Sequence, residues 1–389
     1  MKVSKMSIKS TDQQYIAHTY KRFDLTIIKG EGARCYDDSG REYIDMTSGI
    51  GVNSFGYCDS EWTQAVCQQA HLLQHTSNLY YTAPCAELAE ILCTRTGMAK
   101  VFFGNSGAEA NECAVKVARK YAAEHKGAEY YHIITLNKSF HGRTLTTLAA
   151  TGQDGFHHLF TPLTEGFLYA DAEDIAGMER LMTEHNVAGV LLEIVQGEGG
   201  VNVLSEAYLK AVESLCREHD VVLMIDEVQT GNGRTGELYA YMNYDISPDV
   251  VTTAKGLAGG LPMGACLMND KTAEVLGYGD HGSTFGGNPV CAAAAISVMR
   301  RMDGPFLSDV KAKGDYIRAR LTAAGYEVSG LGLMIGVRTE KPVAEVIAKC
   351  MENGVLCLSA KDKLRLLPPL NISMEEIDKA VSVIIEALQ

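Results

Sequence analysis

The sequence predicts an α/β fold, a large domain built on a mostly parallel sheet with a smaller α+β part beside it, and three observations predict it. Residues 221–225 (VVLMI) form a continuous apolar run that stops abruptly on Asp226 and Glu227, and a second run, DVVTTA, stops on Lys255. Runs of this kind read as strands buried on both faces, which a parallel sheet covered by helices requires. Strand-like and helix-like segments alternate ahead of the first run, as in a doubly wound sheet. From Asn288 onward the pattern changes to helices mixed with short strands.

Up to about residue 47 the chain is strand-like, with IIKGEGARCYDDSGREYIDM alternating apolar and polar between glycine-containing turns. Residues 1–50 are therefore assigned to the smaller part, 51–287 to the large domain and 288–389 to the C-terminal α+β part. Amphipathic helices are expected at 61–73 and 84–95. Within HLLQH, His71 and His75 stand four apart as helical metal ligands would, but the run lacks a zincin's glutamate. A histidine pair at the edge of the core explains it, and no metal site is assigned.

KVFFG (100–104) reads as a strand, and NSGAEAN after it opens a helix that continues to about His125. Unpaired N–H groups at Ser106, Gly107 and Ala108, with the positive end of the helix dipole behind them, would bind a phosphate. An ordinary capped helix start uses the same residues. After the strand YYHIITL comes FHGRT, whose Phe140 can stack on a ring and whose Arg143 can hold a carboxylate; a core phenylalanine beside a surface arginine is the plainer alternative. AGVLLEIV (188–195) is a further buried strand ending in QGEGGV, with Glu193 and Glu198, and a helix over 205–219 leads back to the first apolar run.

Parallel strands deliver Asp226 and Lys255 to the same carboxyl edge, where open α/β sheets bind their ligands. An amine there can condense with an aldehyde, and a carboxylate can hold a protonated ring nitrogen; pyridoxal phosphate needs both. Polar strand ends that merely reach solvent are the alternative for either residue taken singly. Two neighbouring strings mislead. Gly231-Asn-Gly-Arg-Thr-Gly matches the dinucleotide fingerprint but does not lead directly from a strand into a helix, and the acidic end of 221–227 has no P-loop to accompany it, since the chain contains no Gly-Lys dipeptide. Farther on, Ser283 and Thr284 in HGSTFGGNP offer hydroxyls to an anion, and Arg365 in KLRLLPPL falls where the smaller part would face a cleft.

Composition bounds the partners. With 35 basic and 48 acidic side chains the formal charge is −13, and no basic block interrupts it, which argues against nucleic acid and anionic membrane surfaces. The 11 cysteines are scattered without a Cys-x-x-Cys pair, which suggests reduced thiols and a cytoplasmic setting. No stretch reaches signal-peptide or membrane-spanning character.

NSGAEANE, FHGRT, LLEIVQGEGGV, DEVQTGNGRTG, TTAKGLAGGLPMGA and HGSTFGGNP occur in the order found in the class III aminotransferases, and nearly the whole chain resembles that family. The resemblance implies the fold-type I architecture, with a mostly parallel seven-stranded sheet in the large domain and a small domain built from both chain ends. It implies that Lys255 carries pyridoxal 5'-phosphate and that Asp226 pairs with its ring nitrogen. Phe140 and Val228 would flank the ring, Gln229 would lie near the phenolic oxygen, and Ser106, Gly107, Ala108 and Thr284 would hold the phosphate, Thr284 from a second subunit of a homodimer with shared sites. For substrates it implies an ω-amine, N-acetylornithine, and 2-oxoglutarate or glutamate, in arginine biosynthesis. Arg365 would bind glutamate's α-carboxylate, Glu198 would mask Arg365 when the ω-amine is bound, and Arg143, helped by Ser283, would hold the distal carboxylate. Succinylornithine, ornithine and 4-aminobutyrate are alternative donors, and a glutamate-1-semialdehyde aminomutase shares the scaffold. Two departures stand out: GYCDSEW where family members commonly have His-Pro, and Ala108 where threonine is frequent. Neither removes a group the chemistry needs.

Overall fold

A computed structural model describes residues 7–389; the first six residues of the expected N-terminal segment lie outside the described residues. The large sheet has seven strands in the order Lys100–Gly104, Gly264–Met268, Val250–Thr253, Val222–Asp226, Val187–Leu192, His132–Leu136 and Phe167–Ala170. All neighbouring pairs are parallel except those of Gly264–Met268, which runs antiparallel to both its neighbours. Every residue of the four consecutive strands from Gly264–Met268 to Val187–Leu192 is buried, so the unbroken apolar runs follow from cover on both faces. The Gly107–His125 helix, apolar along Ala110, Ala114, Val117 and Ala118, packs on one face of these strands. Cores of large apolar residues lie on both faces.

In register, Asp226 stands opposite Thr252 of the next strand, and Lys255 follows that strand's end at Thr253 by two residues. The acid and the amine are thereby brought to one edge by strand pairing alone.

Three smaller sheets are found among the described residues, one of them the two-stranded antiparallel pair Val195–Gln196 and Asn202–Val203. Ile27–Glu31, Arg34–Asp37 and Glu42–Asp45 form an antiparallel meander that Val355–Leu356 joins in parallel, tying the beginning of the chain to its end. The third contains Val328–Leu331, Met334–Arg338, Lys363–Leu366 and Leu358–Ala360, all antiparallel, with Arg365 opposite Gly336 on one side and Leu358 on the other. The final helix, Met374–Leu388, starts with a capping box made by Ser373 and Glu376. Among the described residues no helix is long and apolar enough to cross a membrane.

The fingerprint-like string GNGRTG turns out to be a clip between these parts. Asn232 donates to Thr253 Oγ1 and to the Ala254 carbonyl just before Lys255, and the buried Arg234 donates to the carbonyls of Leu333 and Pro368 and to Ser48 Oγ. Ser48 in turn donates to the Leu367 carbonyl at 2.6 Å. Burial pushes the Arg234 guanidinium down to about 9, because its partners are neutral oxygens; the negative charge of Asp45 opposes the shift. The strand that carries Arg365 is thus fastened to the loop after Asp226 and to the N-terminal segment.

Candidate active site

The carboxyl edge of the sheet opens into a cavity of about 450 Å³ whose wall includes Lys255, Asp226, Phe140, Val228, Gln229 and Gly107. Of the other residues singled out in the sequence, Ser106, Ala108, Arg143 and Glu193 also line it.

Lys255 begins a short 3-10 turn and has φ 44°, a left-handed backbone that an L-residue adopts only when its surroundings impose it. Burial lowers the proton affinity of its amine, and the charges of Asp226 and Glu198 oppose that shift. Asp226 is 3% exposed and accepts three hydrogen bonds, from the Val228 N–H, His141 Nδ1 and Asn111 Nδ2. Two further acids lie close by. Glu193 accepts the Phe140 N–H at 3.0 Å, and burial, with the nearby negative charge of Asp226, raises its carboxyl well above the usual range. Glu227 points away from the cavity, accepting from Thr230 Oγ1 and the Tyr241 N–H, and burial pushes it up to about 7. Both therefore favour the protonated form more than a solvated glutamate does, while Asp226 has three donors suited to a carboxylate.

Ser106 caps the Gly107–His125 helix by accepting from the Glu109 N–H. The N–H groups of Gly107 and Ala108 have no hydrogen-bond partner among the described residues, and both residues border the cavity. This is the arrangement in which a helix start takes an anion. A Cβ on Gly107 would come within 2.6 Å of the Val228 side chain, so glycine is what lets Val228 lie across the helix start.

Behind the cavity wall Gln229 Oε1 accepts from Arg365 Nη1 at 3.2 Å; Arg365 and Glu198 are not themselves among the residues that line the cavity. The same Nη1 donates to Glu198 at 2.6 Å. The two partners differ in freedom: the Arg365 side chain is 3% exposed and the Glu198 side chain 31%. Arg365 Nε–H is buried without a partner among the described residues. Arg143 is exposed, with its guanidinium 4.5 Å from the Phe156 ring centroid and 5.7 Å from that of Phe140.

Ser283 and Thr284 do not border this cavity. They lie in a second one with Asn78 and His281, and Ser283 Oγ accepts from Asn105, a residue of the first cavity's wall. His71 is in the helix Ser60–Leu72, but His75 lies beyond its end and packs on Phe285, so the two do not share a helical face.

Sequence reasoning passed over Asn111 and His141. Asn111 lies one helical turn after Gly107, on the same face, and His141 directly follows Phe140 and precedes Arg143 by two positions. Their signal was there in the spacing.

A family model described as aminotransferase class-III matches residues 15–388. The acetylornithine aminotransferase of Haemophilus ducreyi is 51% identical over 385 residues, covering 98% of each chain. The solved structure of the N-acetylornithine aminotransferase from Stenotrophomonas maltophilia K279a aligns with a TM-score of 0.84 at 36% identity, covering 97% of both chains. An ornithine aminotransferase from Toxoplasma gondii, with pyridoxal phosphate at partial occupancy in its active site, aligns with a TM-score of 0.93 at 33% identity over 98% of this chain and 93% of that one.

Proposed function

The chain belongs to the class-III aminotransferases, and from that membership we propose that it moves the ω-amino group of N-acetylornithine to 2-oxoglutarate. The products are N-acetylglutamate 5-semialdehyde and glutamate, a step of arginine biosynthesis. It is a transaminase of a class that works with pyridoxal phosphate.

The cavity fits that cofactor. A carboxylate with an acceptor site to spare, an amine held at low proton affinity and two unpartnered N–H groups at the start of a 19-residue helix are what its ring nitrogen, aldehyde and phosphate require. When bound, the cofactor supplies an aldehyde for amines to condense with and a cationic ring that takes up the electron pair left as a substrate carbon loses its proton. Asp226 would hold the ring N–H, Ser106, Gly107 and Ala108 the phosphate, and Phe140 and Val228 the ring between them, with Gln229 beside the phenolic oxygen. Lys255 Nζ would act as the base that carries the proton from one carbon to the next, a role its burial suits by lowering the proton affinity of the amine.

The observation that carries the two-substrate reading is the Arg365–Glu198 pair at 2.6 Å. Paired, it presents little net charge to an ω-amine; parted, it offers Arg365 to glutamate's α-carboxylate. Arg143 would hold the distal carboxylate of either substrate; Ser283, which lies outside this cavity in its own subunit, would assist only from the second subunit. Ornithine as donor is the second reading, favoured by the alignment with the Toxoplasma gondii enzyme. Single-turnover absorbance changes with a panel of amines decide between them. N-acetylornithine should react at least about tenfold faster, per unit concentration, than ornithine, succinylornithine or 4-aminobutyrate, roughly what one well-placed contact gives. A faster reaction with ornithine would overturn the choice of donor.

We also propose a homodimer in which Thr284 of each subunit completes the phosphate site of the other. Leu79, Tyr80, Tyr81 and Phe285 are all large, apolar and exposed. Asn78 joins their two loops by donating to the carbonyls of Ser283 and Gly286. An apolar surface of this kind in a water-soluble chain favours a partner. Phe285→Asp should yield monomers in analytical ultracentrifugation with little activity; a fully active monomer would refute the shared site. The 11 cysteines, all free, fit the reducing cytoplasm.

A further inference from the structure

Asp226 is held by more than its strand. Its Oδ2 accepts from Asn111 Nδ2 at 2.7 Å and from His141 Nδ1 at 2.8 Å, while Oδ1 accepts the Val228 N–H at 3.0 Å. A carboxylate has roughly four acceptor sites. Oδ2 is therefore fully used, and the remaining site is on Oδ1, in a residue that borders the cavity.

Asn111 is 1% exposed and has no part in the chemistry above. A side-chain amide can sit either way round, and a reversed Asn111 would set its oxygen against the Asp226 carboxylate. Its surroundings allow one orientation. The His141 carbonyl, an acceptor only, takes a hydrogen bond from Nδ2 at 2.8 Å, and Thr252 Oγ1 donates to Oδ1 at 2.6 Å. Thr252 stands opposite Asp226 in the sheet, and Asn111 projects from the helix packed on those strands. The three side chains meet because sheet register and helix packing bring them together.

We propose that Asn111, fixed in one amide orientation by the acceptor-only His141 carbonyl and held there by the Thr252 hydroxyl, is a positioning residue that, together with His141, saturates Asp226 Oδ2 and so reserves Oδ1 for the N–H of a bound heteroaromatic ring. The proposal rests on the pyridoxal phosphate reading. Without Asn111 the carboxylate loses a donor that fixes its rotation, and the contact to the ring N–H loosens while phosphate and aldehyde contacts persist.

The test is titration of the apoprotein with pyridoxal phosphate and with its carbocyclic analogue, in which a C–H replaces the ring nitrogen, read as apparent dissociation constants from absorbance. Asn111→Leu should weaken pyridoxal phosphate by about tenfold to a hundredfold, the range for a hydrogen bond to a charged group, and leave the analogue unchanged. Thr252→Val should follow in the same direction by a smaller factor, and Thr252→Ser, which keeps the hydroxyl, should restore wild-type binding. Equal weakening of both ligands, or of neither, would overturn the proposal. If Asn111→Leu does not fold, the Thr252 pair carries the same comparison. Wild-type protein that bound neither ligand would remove the cofactor reading and this proposal with it.

Discussion

Replacing Lys255 by alanine should lower turnover by about 10⁴-fold or more, the upper end of what a positioned acid–base group contributes, because the same amine is also the group that condenses with the aldehyde. No other amine can substitute. Among the described residues Lys255 is the one lysine that borders the cavity, and a free lysine elsewhere keeps its proton at neutral pH. Two measurements follow: steady-state turnover, and borohydride reduction followed by peptide mapping. In the wild type the reduced label should lie on Lys255, and in Lys255→Ala no lysine should carry it. Turnover of the alanine variant near the wild-type rate would refute the cofactor assignment at its root.

Replacing Arg365 by alanine should slow the half-reaction with glutamate about tenfold to a hundredfold, as expected for a lost hydrogen bond to a charged carboxylate. The half-reaction with the ω-amine should change far less. The reason lies in the pairing with Glu198 at 2.6 Å. Two unit charges about 4 Å apart attract by about 4 kcal/mol in a partly screened site, enough for an unmasked arginine to bias which substrate enters. Glu198 is the more exposed partner, so it is the side free to swing away. Truncating Arg365 alone leaves Glu198 without its counter-charge, a cost unrelated to substrate. The double variant Arg365→Ala/Glu198→Ala separates the two effects. It should keep the loss with glutamate and recover any loss with the ω-amine. Equal losses in both half-reactions, in single and double variant alike, would sink the masking mechanism.

Much of the large sheet was legible from residue patterns. The runs that end on Asp226 and Lys255 have strand boundaries set by burial on both faces, and burial leaves an apolar signature that periodicity detects. The start of the helix over 205–219 was legible for a similar reason, since Ser205 caps where a polar residue precedes an amphipathic run. The strand Gly264–Met268 escaped notice because GACLM is short and its context, LAGGLPMGA, reads as turn. Phe167–Ala170 lies at the sheet edge, where burial and hence the apolar pattern are partial. The helix Gly304–Ala323 was also passed over; a glycine and a proline at its first positions look like a loop although proline is at home there.

The sequence by itself determined which chemical groups exist and the order in which they come. An acid and an amine at the ends of two buried strands, a small-residue helix start and a lone arginine near the C-terminus are all one-dimensional facts, because strand ends and helix ends are local. Tertiary structure alone decided which of them touch. It brought Arg365 to Glu198 across 167 positions of chain, turned a string resembling a dinucleotide fingerprint into a clip onto the strand that carries Arg365, and set Asn111 and His141 on one oxygen of Asp226. Such contacts depend on strand register and on how helices seat against the sheet, and those are settled by the packing of all the side chains together rather than by any stretch of neighbours.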